Sequence, residues 1–267
     1  MERTELTRLK SLFGSNLLGP DELQPLVSRW GLAHCAPSDA VSRWGLAHCA
    51  PSNAVSRWGK ATGRRAMLGN LAHCAPSNGE AEDCAQGPVP SEAPRLEPPA
   101  LNYEEAYLEQ HAKDYILVMG IPTISDVPVT LRNLREVFGI DPEQQEPCFY
   151  NQDWYLNETF LDTKLESRWY LLKKDVFESS RAELPDKLSK EISFPSAVLC
   201  AYTFFAYYLY YKQPLWYHDF VWCCDLDHNG DRIYVGKYHD IDGVNKNGFS
   251  VHRHLALRPC YAAVDAL

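Results

Sequence analysis

The residues best suited to chemistry gather near the C-terminal end. Asp225-Leu226-Asp227-His228-Asn229-Gly230-Asp231 places oxygen-bearing side chains at alternate positions. Asp225, Asp227, Asn229 and Asp231 thereby follow the first half of a calcium loop, in which alternate oxygens converge on one divalent ion. A complete loop of the EF-hand kind would carry Glu at its twelfth position, and here that residue is Gly236. The competing account is a plain hairpin. Asn229-Gly230 is a strong short turn signal, and the neighbouring carboxylates would then point into water. On that account Asp227→Asn would be close to silent.

A second set follows at His252-Arg253-His254. Alternate residues of a strand share a face, so His252 and His254 would project together. Two imidazoles and a carboxylate can hold a transition metal, with Asp225, Asp227 and His218 as neighbours across a sheet. The same spacing is common on solvated strands. A third set is Tyr150-Asn151-Gln152-Asp153-Trp154-Tyr155. Amides and acids framed by rings suit a sugar or peptide pocket, which makes Asn151, Gln152, Asp153 and Trp154 the ligand-binding candidates. The simpler expectation is a helix start, with Asp153 as its cap and Trp154 on the core. Familiar hydrolase signatures are missing: there is no Gly-x-Ser-x-Gly, no His-Glu-x-x-His and no phosphate-cradling glycine loop. Cys223 and Cys224 are adjacent, would face opposite sides of a strand, and cannot make a Cys-x-x-Cys redox pair.

The elements that must position these residues are legible from periodicity. Leu6, Leu9, Leu12 and Phe13 make an apolar helical stripe that Gly14 can close, and Leu23, Leu26, Val27 and Trp30 continue a second helix after Gly19-Pro20-Asp21-Glu22. Glu104 to His111 reads as a helix and Tyr115 to Met119 as a buried strand. Thr130 caps a helix with Leu131, Leu134, Val137 and Phe138 inward, closed by Gly139. Arg168 to Leu172 reads as a strand. Pro195-Ser196 opens a helix from Ala197 to Tyr211 that Lys212 and Pro214 end. At 1.5 Å per residue this apolar run spans roughly 22 Å, short of a bilayer core of ~30 Å, so a buried helix is expected and no membrane partner. From Asp219 the pattern turns to strands: Phe220 to Leu226, Arg232 to Tyr238, Phe249 to His254 and Tyr261 to Val264. The expected class is α+β, with helices packed on a C-terminal antiparallel sheet.

Between the N-terminal helices and this region lies a tandem repeat. VSRWGLAHCAPSDA (27–40) is followed by VSRWGLAHCAPSNA (41–54), and a third copy opens at Val55 and resumes at Leu71. A period of 14 residues is too short for a stackable solenoid unit, which needs roughly 20 to 45. Its adjacent His-Cys pairs lack the spacing of a zinc knuckle. Residues 79–99 hold five prolines and five acids, as an extended linker would. The expected organisation is an N-terminal helical segment (1–30), a low-complexity insertion and linker without its own core (31–99), and an α+β domain (101–267).

With 267 residues, 45% of them hydrophobic and 23% charged, the chain can bury a sizeable core. Its net charge of −9 disfavours a broad nucleic-acid surface. The start Met1-Glu2-Arg3-Thr4-Glu5 lacks the features of a signal peptide, and nine cysteines are an odd number, so reduced thiols in the cytoplasm are expected.

Several segments together resemble a group of bacterial proteins without an assigned activity. They are Leu12-Phe13-Gly14-Ser15-Asn16, Gly19-Pro20-Asp21-Glu22-Leu23, Gln152-Asp153-Trp154-Tyr155, Arg168-Trp169-Tyr170-Leu171-Leu172 and Asp231-Arg232-Ile233-Tyr234-Val235-Gly236. The resemblance spans most of 1–30 and 101–267 and implies that the N-terminal helices belong to the fold. The closing strands, with their short turns and aromatics, are also loosely similar to C-type-lectin-like domains. Neither likeness lends a catalytic residue. The leading expectation is a non-enzymatic binding or structural module needing no cofactor. The alternative is a metal-dependent hydrolase that uses a divalent cation at the Asp225–Asp231 turn and His252/His254.

Overall fold

The computed structural model describes residues 3–34, 96–239, 248–253 and 257–267. Most of the repeat and linker, and His254, lie outside the described residues.

Helix α1 (Arg3–Phe13) buries Leu9 and Phe13, with Leu6 and Leu12 packed at the margin. Strand β1 (Leu17–Leu18) leads into a turn at 19–23, in which Leu23 N–H reaches Gly19 O and Glu22 Oε2 accepts from Gly19 N–H. Regular helix therefore starts after Pro20, at α2 (Gln24–His34), which buries Leu26, Val27 and Trp30. The first eight residues of the first repeat copy belong to this helix.

Next come α3 (Glu105–His111), β2 (Tyr115–Met119), a β3–β4 hairpin (Thr123–Ile124, Val127–Pro128) and α4 (Leu131–Phe138). Thr130 Oγ1 accepts from Asn133 N–H at 3.2 Å, and the four apolar residues of α4 read from the sequence are all buried. Strand β5 (Trp169–Lys173) and the short α5 (Pro185–Leu188) precede α6 (Ala197–Tyr211). Strands β6 (Phe220–Leu226), β7 (Arg232–Gly236), β8 (Ser250–Arg253) and β9 (Tyr261–Ala262) complete the chain.

Two sheets flank α6. In the first, β2 lies between β1 and β5, parallel to β1 (Leu17 opposite Leu117) and antiparallel to β5. The N-terminal segment and the 101–267 region thus share one sheet and one core. The second sheet has the order β8-β7-β6-β9. The antiparallel expectation holds for β6, β7 and β8 and needs correction for β9, which pairs with β6 in parallel. The outer edge of β8 is already occupied by residues 148–154, so the last strand joins at the far edge, along β6.

Helix α6 carries no charged side chain and is buried from Ala197 to Tyr207, as a helix enclosed on all sides must be. Phe205 stacks on Phe138 at 4.0 Å between ring centroids, and Phe204 sits 4.8 Å from Phe249. Alternation along β6 and β7 divides the second sheet's side chains. Val221, Cys223, Ile233 and Val235 join the main core, while Phe220, Trp222 and Tyr234 form a second cluster with Phe194 and Tyr261. Among the described residues, no helix is long and apolar enough to cross a membrane.

Candidate functional site

The β6–β7 connection explains most of what the Asp225–Asp231 motif does. Asp227 N–H donates to Asp231 O at 2.9 Å, and Gly230 N–H to Asp227 O at 3.0 Å. Gly230 takes the left-handed conformation that this turn requires, with φ +84. The Asp227 carboxylate does not point into water; its side chain is fully buried. Oδ1 accepts from the N–H groups of Asn229 and Asp231, both at 2.8 Å, and Oδ2 from Arg253 Nη1 at 3.1 Å. Desolvation alone would raise this carboxyl, but the Asp231 amide, Arg253 and the Asn229 amide outweigh it and hold it below the usual carboxylate range. The expectation that this carboxylate points into water is therefore corrected: the acid is the hairpin's internal clamp.

Asp225 behaves oppositely. Burial raises its carboxyl, against hydrogen bonding from the Ala197 amide and the pull of Arg232. Its Oδ2 accepts from Ala197 N–H at 2.6 Å, at the first residue of α6, away from the turn. Asn229 and Asp231 are exposed. Among the described residues, the four oxygen-bearing positions do not converge as a calcium loop would need. His252 is packed rather than presented: it stacks on Tyr234 at 5.7 Å and meets the edge of Phe220 at 5.3 Å. Burial, with Lys237 adding to it, pushes its imidazole down to about 4.

The amide and aromatic set has a structural task. β8 is the outer strand of its sheet, and residues 148–154 cover its open side. Phe249 N–H donates to Cys148 O and Tyr150 N–H to Phe249 O, both at 2.9 Å. Gly248 permits this approach, since a Cβ there would lie 2.6 Å from the Phe149 backbone. Two side chains then continue the ladder: Val251 N–H donates to Gln152 Oε1 at 3.3 Å, and Trp154 Nε1–H donates to Val251 O at 3.0 Å. An exposed strand edge invites pairing with another chain, and these side chains block it. The expected helix start is a run of turns instead. Asp153 caps nothing and pairs with Arg135 at 3.1 Å, while Asn151 is exposed.

Beside this edge the fold assembles residues that no local pattern joins. Glu158, buried and 70 positions before His228, accepts from His228 N–H at 2.9 Å through Oε2. Its Oε1 lies 2.6 Å from His228 Nδ1. The ring is thus oriented from beneath, which leaves Nε2 on the outer side, and the His228 side chain is 65% exposed. Arg253 completes the group. Its guanidinium is held by Asp227, lies 5.2 Å from the Trp154 ring centroid and is 37% exposed. Glu158, Asp227 and His228 each offer a ligand atom, all within 4.8 Å of one another, so this trio has the spacing to hold a metal ion.

Of the candidates read from the sequence, Asp227 and Trp154 enter this group; Asp225, Asn229, Asp231, His252, Asn151, Gln152 and Asp153 do not. Glu158, His228 and Arg253 were missed as members. An Asp two residues before the Asn-Gly pair was a legible sign of side-chain capping within the turn. Nothing in the sequence announced Glu158. No family model matches the chain, and no curated protein or solved structure does.

Proposed function

We propose that the chain is a non-enzymatic binding module whose second sheet accepts a small anionic ligand at the β6–β7 hairpin and the end of β8. One observation supports this reading above others. The buried acids there are already hydrogen-bonded within the fold, whereas His228 and Arg253 stay partly open to solvent, Arg253 beside the Trp154 indole. A guanidinium held by a carboxylate and a ring is pre-organised to receive a carboxylate or phosphate, and Trp154 offers apolar area for what the anion is attached to. No cofactor is required. A reducing compartment such as the cytoplasm suits the free thiols of Cys148, Cys200, Cys223, Cys224 and Cys260.

The test is thermal unfolding with inorganic phosphate, acetate and succinate against chloride at equal ionic strength. A ligand at 100 times its dissociation constant adds ~2.7 kcal/mol of stability. A rise with one of these anions, lost in Arg253→Ala and reduced in His228→Ala, supports the reading. The absence of any rise at millimolar concentration defeats it.

The Glu158–Asp227–His228 spacing favours a second reading, a metal-dependent hydrolase. Against it, the positive Arg253 guanidinium already sits on Asp227. Titration calorimetry with zinc, manganese and calcium, repeated on His228→Ala, separates the two. Metal binding that needs His228, together with metal-dependent hydrolysis of a simple phosphoester or carboxylic ester, would put the hydrolase first.

A further inference from the structure

The tandem repeat enters the fold through its first copy. Val27 to His34 form the second part of α2, and three of these residues anchor it. Val27 and Trp30 are 2% and 0% exposed and belong to the main core. The Arg29 guanidinium lies 4.6 Å from the Phe138 ring centroid, and its Nη2 donates to Gln145 Oε1 at 2.7 Å. Ser28, Leu32, Ala33 and His34 are exposed. The anchoring set recurs along the chain. Residues 27–38 are identical to residues 41–52, so Val41, Arg43 and Trp44 repeat Val27, Arg29 and Trp30. Val55, Arg57 and Trp58 repeat them again, and Lys60 then stands where the first copy has the exposed Leu32.

We propose that the second half of α2 is exchangeable: the second copy can replace the first on the core, with residues 27–40 as the intervening loop. The same side chains would meet the same Phe138, Gln145 and core surroundings, so the two registers differ mainly in how they are connected. The first copy continues directly from the buried Leu26. The second must close a loop of 14 residues and interrupt the helix between Leu26 and Val41. Loop-closure entropy therefore keeps the first copy in place in the intact chain. Emptying the Trp30 site reverses the balance. An unfilled indole cavity is among the most costly core defects, whereas loop-closure entropy grows only with the logarithm of loop length. The duplication thus supplies a spare for the indole that anchors α2. The third copy is a second spare, with 27–54 as its loop.

The experiment is fluorine NMR of the full chain grown with fluorotryptophan, together with thermal unfolding. A Trp44→Ala/Trp58→Ala chain is the reference, in which Trp30 is the only repeat indole left. In the Trp30→Ala chain a resonance should persist at the position that Trp30 has in the reference. It should vanish when Trp44→Ala and Trp58→Ala are added. Trp30→Ala should also lower the melting temperature by less in the chain that keeps Trp44 and Trp58 than in the reference. A triple variant that fails to fold while Trp30→Ala folds supports the exchange in the same way. Equal losses in the two backgrounds, no such resonance in Trp30→Ala, or a Trp30→Ala chain that does not fold overturns the proposal.

Discussion

Asp227, in the β6–β7 turn, and His252, on β8, respond to pH through opposite physics. Asp227 is a buried anion held by three hydrogen bonds. Replacing it with Asn puts an amide N–H₂ among donors, and leaving buried donors unsatisfied costs about 1–3 kcal/mol. Urea denaturation at pH 7 should show Asp227→Asn destabilised by that amount; a change within experimental error would mean that the clamp carries no stability. Its carboxyl is held below the ordinary range, so its contribution is present above the unfolded pKa and lost as pH falls through the folded one. His252 is half-buried, packed on Tyr234 and Phe220, with its imidazole pushed down to about 4 by desolvation. Below an unfolded value of about 6.5 the unfolded chain binds the extra proton, so stability falls as the solution is acidified from there toward the folded pKa. The wild-type chain should begin to lose stability near pH 6.5, and His252→Phe should remove that early phase while keeping the later loss due to Asp227. An identical pH profile for the two proteins would contradict the burial of this ring.

At the scale of elements, α6 is the common wall of both sheets. Phe204 is fully buried and meets Phe205, Tyr208, Tyr238 and Phe249. Phe204→Ala should cost ~3–5 kcal/mol in denaturant unfolding, because such a cavity closes only in part. A loss below ~1 kcal/mol would place the ring outside the core. The edge of β8 depends on two side chains for half its cover. Removing Trp154 leaves Val251 O without its donor and the strand open to a second chain. Trp154→Ala should therefore self-associate at concentrations where the wild-type chain does not, measured by sedimentation velocity. A variant that sediments as the wild type does would show that backbone pairing at 148–150 suffices.

At the scale of the whole molecule, the two ends of the described chain are one folding unit. Leu9, Phe13, Leu17, Leu18, Leu26 and Trp30 lie in the same core as β2, α4 and α6. Leu17 and Leu18 pair with Leu117 and Val118, and Tyr211 Oη–H donates to Leu17 O at 2.9 Å. A fragment of residues 101–267 should consequently lack a cooperative thermal transition and bind hydrophobic dye. Co-expression with residues 1–36 should restore it in part. A fragment 101–267 that melts cooperatively near the temperature of the full chain would show that the N-terminal helices add little.

What the sequence determined by itself is local. Thr130 and Ser196 cap α4 and α6 because a cap needs only a side chain and an amide three residues on. The apolar stripe of α4 and the alternation of β6 and β7 follow from periods of 3.6 and 2, and Gly230 turns the chain because it alone carries no Cβ penalty at positive φ. The tertiary structure decided everything that depends on which surfaces meet. Side-chain spacing shows that Asp225 and Asp227 are two apart, but not that one would cap α6 and the other receive Arg253. It shows Gln152 and Trp154 as polar-aromatic neighbours, but not that an edge strand would pass within reach of them. Glu158 finds His228 across 70 positions, and β9 joins the sheet along β6, the edge left open once residues 148–154 cover β8. Local rules act over one turn or one pleat, while the burial that buries one acid and exposes its neighbour is set by segments distant in the chain.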